Sequence, residues 1–150
     1  MIPVDETATT ATMTKPESAL IAIVDDDAAA RDAVASLVSA MGYRTIACEG
    51  AAAFLSSELR PTTACLISDV RMPGIGGLEL YRSLADSGRM VPTILMTAYP
   101  DETTRAAALA TGVHGYLAKP FDPETLLACI RQAVQAGTTI QKLSSTEPTE

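Results

Sequence analysis

The sequence contains few cysteines, few aromatic residues and little positive charge. Its 150 residues include three cysteines, no tryptophan, and 11 lysines and arginines against 18 acidic residues, giving a formal net charge of −7. An odd number of cysteines without a CxxC spacing disfavours a disulfide framework or a zinc ribbon and is typical of a reducing cytoplasm. Binding to nucleic acid or to an anionic membrane requires a basic surface, so we expect neither partner.

Long hydrophobic runs are also missing. No apolar run approaches the ~20 residues that a membrane-spanning helix needs. The first ten residues, MIPVDETATT, lack the basic flank and apolar stretch of a signal peptide. These absences predict a soluble, cytoplasmic protein.

The central part of the chain has the composition of one folded domain. The chain is 47% hydrophobic overall, but residues 1–18 are rich in Thr, Glu, Pro and Ala without an apolar period, and they are predicted to be a disordered extension. Residues 137–150 are predicted to be a flexible polar tail. The domain is therefore expected to span residues 19–136, a usual size for a single domain.

Short apolar runs alternate with amphipathic segments in this domain. Strands are predicted at residues 19–24, 43–47, 64–68, 93–96 and 115–118. Helices are predicted between Asp27 and Gly42 and at residues 51–59, 78–84, 101–110 and 123–134. This alternation predicts an α/β fold, a doubly wound, five-stranded parallel sheet with five helices on its two faces.

Polar residues follow the predicted strands, at the edge where open α/β sheets bind ligands. They are Asp25, Asp26 and Asp27 after the first strand, Asp69 after the third, Thr97 after the fourth, and Lys119 and Pro120 after the fifth. Clustered carboxylates repel one another unless a cation compensates them, and hard oxygen ligands suit Mg²⁺. A solvated acidic loop is the alternative, and for Asp27 a helix cap is the favoured interpretation.

Four stretches together resemble the receiver domain of two-component response regulators. They are residues 23–27 (IVDDD), 67–74 (ISDVRMPG), 96–98 (MTA) and 116–121 (YLAKPF). The resemblance covers residues 19–135. The amino acids at residues 70–74 and 97–99 are similar to those of receivers of the nitrogen-fixation regulator type. It implies a flavodoxin-like sheet with the strand order 2-1-3-4-5.

The resemblance also implies a phosphoacceptor and a metal site. Asp69 would accept a phosphoryl group from a phosphohistidine on a sensor histidine kinase or a histidine phosphotransfer protein. The carboxylates of Asp25, Asp26 and Asp69, with the backbone carbonyl of Arg71, would hold Mg²⁺, or Mn²⁺ in its place. Positioning and electrostatics would then allow a weakly nucleophilic carboxylate to react with an anionic phosphoryl group.

Further residues would bind the phosphoryl group and respond to it. By the same resemblance, Lys119 would pair with the phosphoryl oxygens, Thr97 would hydrogen-bond them, and Thr97 with Tyr116 would form the switch. Tyr116 could instead be a half-buried packing residue. The Lys119–Pro120 peptide bond is expected to be cis, which would direct Lys119 inward, although Pro120 could merely end the strand.

Arg71 and Tyr99 occupy matching positions, two residues after Asp69 and Thr97. Both side chains could flank the phosphoryl group and obstruct an attacking water. Our hypothesis is that they lengthen the lifetime of phosphorylated Asp69.

The function expected from these features is that of a stand-alone receiver, a binding module rather than an enzyme, with only self-phosphorylation and slow autodephosphorylation. It would switch a downstream protein through the face formed by the fourth helix, fifth strand and fifth helix; the sequence leaves open dimerisation on phosphorylation. The alternatives are an Mg²⁺-dependent aspartyl-phosphate phosphatase, a degenerate receiver, and a receiver fragment of a larger kinase or transcription regulator. The phosphatase is disfavoured because Arg71 stands where such hydrolases place an acid/base Asp.

Overall fold

The structure is a computed structural model that describes residues 19–146, the last ten by backbone alone. The predicted extension at residues 1–18 and the end of the predicted tail, residues 147–150, lie outside the described residues. The elements are β1 (Leu20–Val24), α1 (Ala28–Ala40), β2 (Arg44–Cys48), α2 (Ala51–Ser56), β3 (Thr63–Asp69), α3 (Gly77–Asp86), β4 (Thr93–Thr97), α4 (Glu102–Thr111), β5 (Gly115–Ala118) and α5 (Pro123–Thr146).

The five strands form one parallel sheet in the order β2-β1-β3-β4-β5. The predicted doubly wound, flavodoxin-like fold is therefore confirmed. In the register of the sheet, Val24 lies opposite Ser68, and Asp69 lies opposite Met96. The carboxyl ends of the three central strands consequently lie at one edge, where the predicted polar residues are found.

The sheet is covered on both faces, as parallel sheets require. Every residue of β1 and β4 is buried. On one face, Ile21 and Ile23 pack against α1 and α5, and on the other face Ala22 and Val24 pack against α2 and α3. This two-sided packing explains why β1 and β4 are buried along their whole length rather than at alternate residues.

Helix α2 is shorter than the predicted residues 51–59 and ends at Ser56. Ser57 adopts an extended conformation, and its hydroxyl accepts a hydrogen bond from the Leu59 N–H at 3.0 Å. A short 3₁₀ helix that contains Pro61 follows. The helix thus ends because a serine side chain bonds the backbone locally, before the proline is reached.

Helix α5 is longer than the predicted residues 123–134 and continues to Thr146. Residues 137–146, part of the predicted flexible tail, have a helical backbone, and their flexibility stays a prediction. The polar composition of this segment does not prevent a helix, because the next proline is Pro148 and the single Gly137 costs only about 1 kcal/mol in a helix.

Candidate functional site

Three carboxylates converge at the carboxyl ends of β1 and β3. Asp25 is buried, Asp26 is exposed and Asp69 is half-buried, and one carboxylate oxygen of each lies within 4.8 Å of the others. Among the described residues, no histidine or cysteine joins this cluster. A set of hard oxygen donors open to solvent on one side fits Mg²⁺, which retains water ligands and prefers oxygen ligands to sulfur ligands.

Asp25 is held by hydrogen bonds from every side. Its N–H donates to the Cys48 carbonyl of β2 at 3.1 Å, and its carbonyl accepts from the Arg31 guanidinium at 2.8 Å. Its two carboxylate oxygens accept from the Asp27 N–H and from the Lys119 ammonium group, both at 3.0 Å. Asp27 itself caps α1, as expected. The buried carboxylate is therefore fixed in position, and Arg31 is a participant that the sequence analysis did not identify.

Lys119 links the carboxylates of two strands. Its Nζ lies 3.0 Å from Oδ2 of Asp25 and 3.7 Å from Oδ2 of Asp69. The Lys119–Pro120 peptide bond is cis, the isomer expected from the sequence. Burial raises the pKa of the Asp69 carboxyl above its ordinary value; the Lys119 charge opposes this rise, whereas the charges of Asp25 and Asp26 add to it.

Thr97 ends β4, and its side chain is buried. Its hydroxyl accepts a hydrogen bond from the Tyr99 N–H at 3.0 Å, which holds the start of the loop after the strand. The Tyr99 side chain is 71% exposed, and the Arg71 guanidinium lies over its ring, 5.9 Å from the centroid. The Arg71 N–H also donates to Oδ1 of Asp69 at 3.4 Å, so the Arg71 backbone lies beside the candidate phosphoacceptor.

Tyr116 connects β5 to the beginning of α4. Its hydroxyl accepts a hydrogen bond from the Asp101 N–H at 3.2 Å, and Asp101 in turn caps α4 through Thr104. The half-buried ring packs against the buried cluster that contains Leu95 and Ala108. The residue therefore packs as the alternative interpretation expected, and it also tethers α4.

Two glycines below Asp69 were not identified as site residues from the sequence. A Cβ atom at Gly77 would lie 2.5 Å from the Asp69 carbonyl oxygen and 3.0 Å from Oγ of Ser68. A Cβ at Gly76 would collide with the Val70 carbonyl. The signal in the sequence was the pair of adjacent glycines directly before a helix, since such pairs allow a close approach of two backbone segments.

Comparisons with known proteins agree with this geometry. Residues 21–131 match the sequence profile of the response regulator receiver domain. The chain is 36% identical over 119 residues to the transcriptional regulatory protein FixJ of Azorhizobium caulinodans, a match that covers 79% of this chain and 56% of that protein. It is 38% identical over 119 residues to the response regulator protein TmoT of Ectopseudomonas mendocina, covering 79% and 54% of the two chains.

Solved structures are similar over the same region. The crystal structure of FixJ-N superposes with a TM-score of 0.71 at 28% identity and covers 79% of this chain and 94% of that one. The low-resolution structure of the response regulator StyR gives a TM-score of 0.80 at 29% identity, covering 88% and 67%.

The chain spans about half the length of the curated relatives it matches. Within residues 19–146, no helix combines the length and the apolar character needed to cross a membrane.

The matched profile, the strand order and the cluster of Asp25, Asp26, Asp69 and Lys119 lead to one assignment. The chain belongs to the response regulator receiver family of two-component systems.

Proposed function

We propose that Asp69 accepts a phosphoryl group from a phosphohistidine on a sensor histidine kinase or a histidine phosphotransfer protein, in a reaction that depends on Mg²⁺. The observation that carries this proposal is the convergence of Asp69 with Asp25, Asp26 and Lys119 at one edge of the sheet. A half-buried carboxylate with a cation on one side and solvent on the other is accessible to a donor protein. The protein is proposed to act in the cytoplasm, without binding nucleic acid or a membrane.

The transfer forms one bond and breaks another. A carboxylate oxygen of Asp69 bonds to phosphorus while the P–N bond to the donor imidazole breaks, and the electron pair of that bond leaves with the nitrogen. Lys119 contributes a positive charge that is already within ion-pair distance of Asp69. Because the attacking group and the phosphoryl oxygens are both anionic, this charge lowers their repulsion.

Asp25, Asp26 and Asp69, with the backbone carbonyl of Arg71, are the residues that would hold Mg²⁺ or Mn²⁺. The bound ion would neutralise charge on the phosphoryl oxygens during transfer. The chain's own contribution is the fixed orientation of Asp25, which the four hydrogen bonds described above provide.

Thr97 and Tyr116 are proposed to transmit the phosphorylation signal. The Thr97 hydroxyl holds the Tyr99 N–H, and the Tyr116 hydroxyl holds the Asp101 N–H, so each residue restrains one part of the loop between β4 and α4. A phosphoryl group on Asp69 would offer strong acceptor oxygens to the Thr97 hydroxyl. Rearrangement of this loop would then change the position of α4 and the environment of Tyr116.

Arg71 and Tyr99 are proposed to slow the hydrolysis of phosphorylated Asp69. The Arg71 guanidinium lies over the Tyr99 ring, and the Arg71 backbone bonds Asp69, so the two side chains would limit the approach of a water molecule from this direction. The reaction that they would slow is autodephosphorylation, in which water attacks phosphorus and the Asp69 carboxylate is regenerated.

The proposed output surface consists of α4, β5 and α5. Leu109 on α4 is 38% exposed, which gives this surface an apolar side chain for a protein partner. In the stand-alone form of the proposal the partner is a separate protein or a second copy of the chain; in the alternative it is an output region of the same polypeptide. The mass of the protein in its native cells shows whether an output region belongs to the same polypeptide. Sedimentation with and without a beryllofluoride phosphoryl mimic shows whether a second copy binds.

A phosphatase function has less support. Arg71 is exposed and lies over the Tyr99 ring, and a guanidinium has no proton to exchange near neutral pH. We expect no turnover of p-nitrophenyl phosphate beyond stoichiometric labelling of the protein.

Labelling with acetyl phosphate tests the proposal directly. Intact protein mass spectrometry is expected to show one added phosphoryl group in the presence of Mg²⁺ and none in EDTA. Asp69→Asn should abolish the labelling, whereas the matched control Asp86→Asn, at an exposed acid on α3, should label like the unaltered protein. Equal labelling of the Asp69 variant and the unaltered protein would refute the assignment.

A further inference from the structure

Arg31 contacts the main chain of the acidic cluster next to the end of β2. It lies in the first turn of α1, where its N–H donates to the carbonyl of the capping residue Asp27 at 2.9 Å. Side chains on a helix lean toward its N-terminus, so the guanidinium extends back past the cap. There NH1 donates to the main-chain carbonyl of Asp25 at 2.8 Å. We propose that Arg31 is a positioning residue for divalent cation binding, acting through the Asp25 backbone.

The type of acceptor distinguishes the two cations near Asp25. Lys119 pairs with the carboxylates of Asp25 and Asp69, so it occupies oxygens that a metal ion would use. Arg31 bonds a main-chain carbonyl instead and leaves both carboxylate oxygens of Asp25 to other partners. Arg31 can therefore keep its bond whether or not a metal ion is bound, whereas the contacts of Lys119 must adjust.

The hydrogen bond from Arg31 to the Asp25 carbonyl restrains the peptide unit between Asp25 and Asp26, which the bond of the Asp25 N–H, part of the preceding peptide unit, does not hold. The N–H of Asp25 is fixed to β2 through the Cys48 carbonyl, and only Arg31 among the described contacts holds the carbonyl. Asp26 is exposed and receives no described hydrogen bond of its own, so its direction depends on this backbone. Loss of the Arg31 bond would free the peptide and disperse the positions of the Asp26 carboxylate.

Arg31 can be replaced without opening the core. It is half-buried and lines an open groove of about 410 Å³ at the end of β2, together with Cys48 and Glu49. A shorter side chain would leave solvent in this groove rather than a closed cavity. The change therefore acts on the acidic cluster more than on the packing of the sheet.

Removing Arg31 has two opposing effects on a bound cation. The loss of a positive charge near three carboxylates favours cation binding, but a charge beside an open groove is screened by water and salt. The loss of the backbone restraint disfavours binding, and partners that orient metal ligands typically contribute about 10–100-fold in affinity. The positioning effect is the larger one, so we expect the affinity to fall.

Calorimetric titration with Mg²⁺ alone tests this inference, which rests on the proposed function of the acidic cluster. Arg31→Met should raise the dissociation constant for Mg²⁺ by about tenfold, and Arg31→Lys, which keeps the charge but loses the planar fork, should give an intermediate value. The control Arg131→Met, at an exposed arginine on α5, removes the same charge and should leave the constant unchanged. Melting temperatures of the variants in EDTA distinguish a positioning role from a structural role. A structural role would lower the melting temperature without a selective change in the affinity for Mg²⁺.

The outcomes distinguish this inference from the proposed function. Unchanged or tighter Mg²⁺ binding by Arg31→Met would show that the guanidinium acts only as a nearby charge, or not at all, and would overturn the inference. If Arg31→Met does not fold, Arg31→Lys decides: an affinity equal to that of the unaltered protein overturns the inference. If the unaltered protein itself binds no Mg²⁺, the proposed function fails and the inference fails with it.

Discussion

At the scale of single residues, three carboxylates lie close together, and each has a different burial and a different set of partners. Asp25 is buried and fully hydrogen-bonded, Asp26 is exposed to water, and Asp69 is half-buried beside Lys119. Burial and the neighbouring acids both raise the pKa of Asp69, and only Lys119 and the Arg71 N–H oppose them. Without a bound cation, the ionised form of Asp69 is thus unfavourable for the folded state.

This imbalance predicts a pH-dependent gain in stability for Asp69→Asn. A carboxyl with a raised pKa binds its proton more readily in the folded state than in the unfolded state, so the folded state loses stability as pH rises through that pKa. In EDTA at pH 7, Asp69→Asn should melt several degrees higher than the unaltered protein. The difference should shrink as pH falls below the ordinary carboxyl pKa of 3.8, where both states are protonated. A difference that is constant with pH would contradict a charge effect.

The stacked pair of Arg71 and Tyr99 leads to a kinetic prediction. Tyr99→Ala and Arg71→Ala should each shorten the half-life of phosphorylated Asp69 several-fold, because either change opens a path for water to the phosphorus atom. The half-life is measured by mass spectrometry after removal of the acetyl phosphate. Arg105→Ala is the control, since this exposed arginine pairs with Glu102 on α4. Equal half-lives in all four proteins would remove the proposed shielding role.

At the scale of elements, the connections after the strands determine how the side chains meet. The connection from β3 to α3 passes directly below Asp69, where the Gly77 N–H donates to the Val70 carbonyl at 3.1 Å. Helix α4 is more weakly attached: Ala108 is its only buried residue, and the Tyr116–Asp101 hydrogen bond holds the residue that caps it. A firmly packed α3 and a lightly packed α4 are consistent with a fixed site and with the proposed movement of the proposed output surface.

The close approach of α3 to Asp69 predicts a marked effect of Gly77→Ala. The added methyl group would meet the Asp69 carbonyl at 2.5 Å, and overpacking of this kind typically costs about 1–3 kcal/mol in the free energy of unfolding. Urea denaturation measures the loss, and acetyl phosphate labelling should fall as well. Gly50→Ala is the matched control, because no atom lies within 4 Å of its added Cβ and its backbone is extended. Equal stability of the two variants would contradict the steric argument.

At the scale of the whole molecule, part of the negative charge lies where the proposed chemistry takes place. The chain carries a formal charge of −7, and three of its carboxylates meet at one edge of the sheet. Buried hydrophobic clusters on both faces of the sheet support this edge. Stability and cation binding are therefore expected to be coupled.

This coupling predicts that Mg²⁺ stabilises the whole domain. At ten times its dissociation constant, one bound ion contributes about 1.4 kcal/mol by mass action, which corresponds to a rise of about 4–6 °C in the melting temperature of a domain of this size. The measurement is thermal denaturation in Mg²⁺ and in EDTA, with NaCl added to equal ionic strength. Asp26→Asn should lose most of the rise. A rise that NaCl reproduces would indicate screening alone.

The architecture and the acidic residues of the site could be predicted from the sequence. The three central strands leave a clear signal because both of their faces are covered, and the residues that follow the strands, such as Asp69 and Lys119, can be read from position alone. The resemblance to receivers then added their expected roles, and the family assignment was confirmed.

The tertiary structure alone decided which atoms meet. The contacts of Arg31 with the Asp25 carbonyl, of Gly77 with the Asp69 backbone and of Tyr116 with the Asp101 N–H all involve main-chain groups. Nearly every residue type has these same main-chain groups, so no pattern of side chains in the sequence predicts these contacts. Helix α5 also extends beyond its predicted end because the length of a helix depends on cooperative backbone bonding as well as on the polarity of its residues.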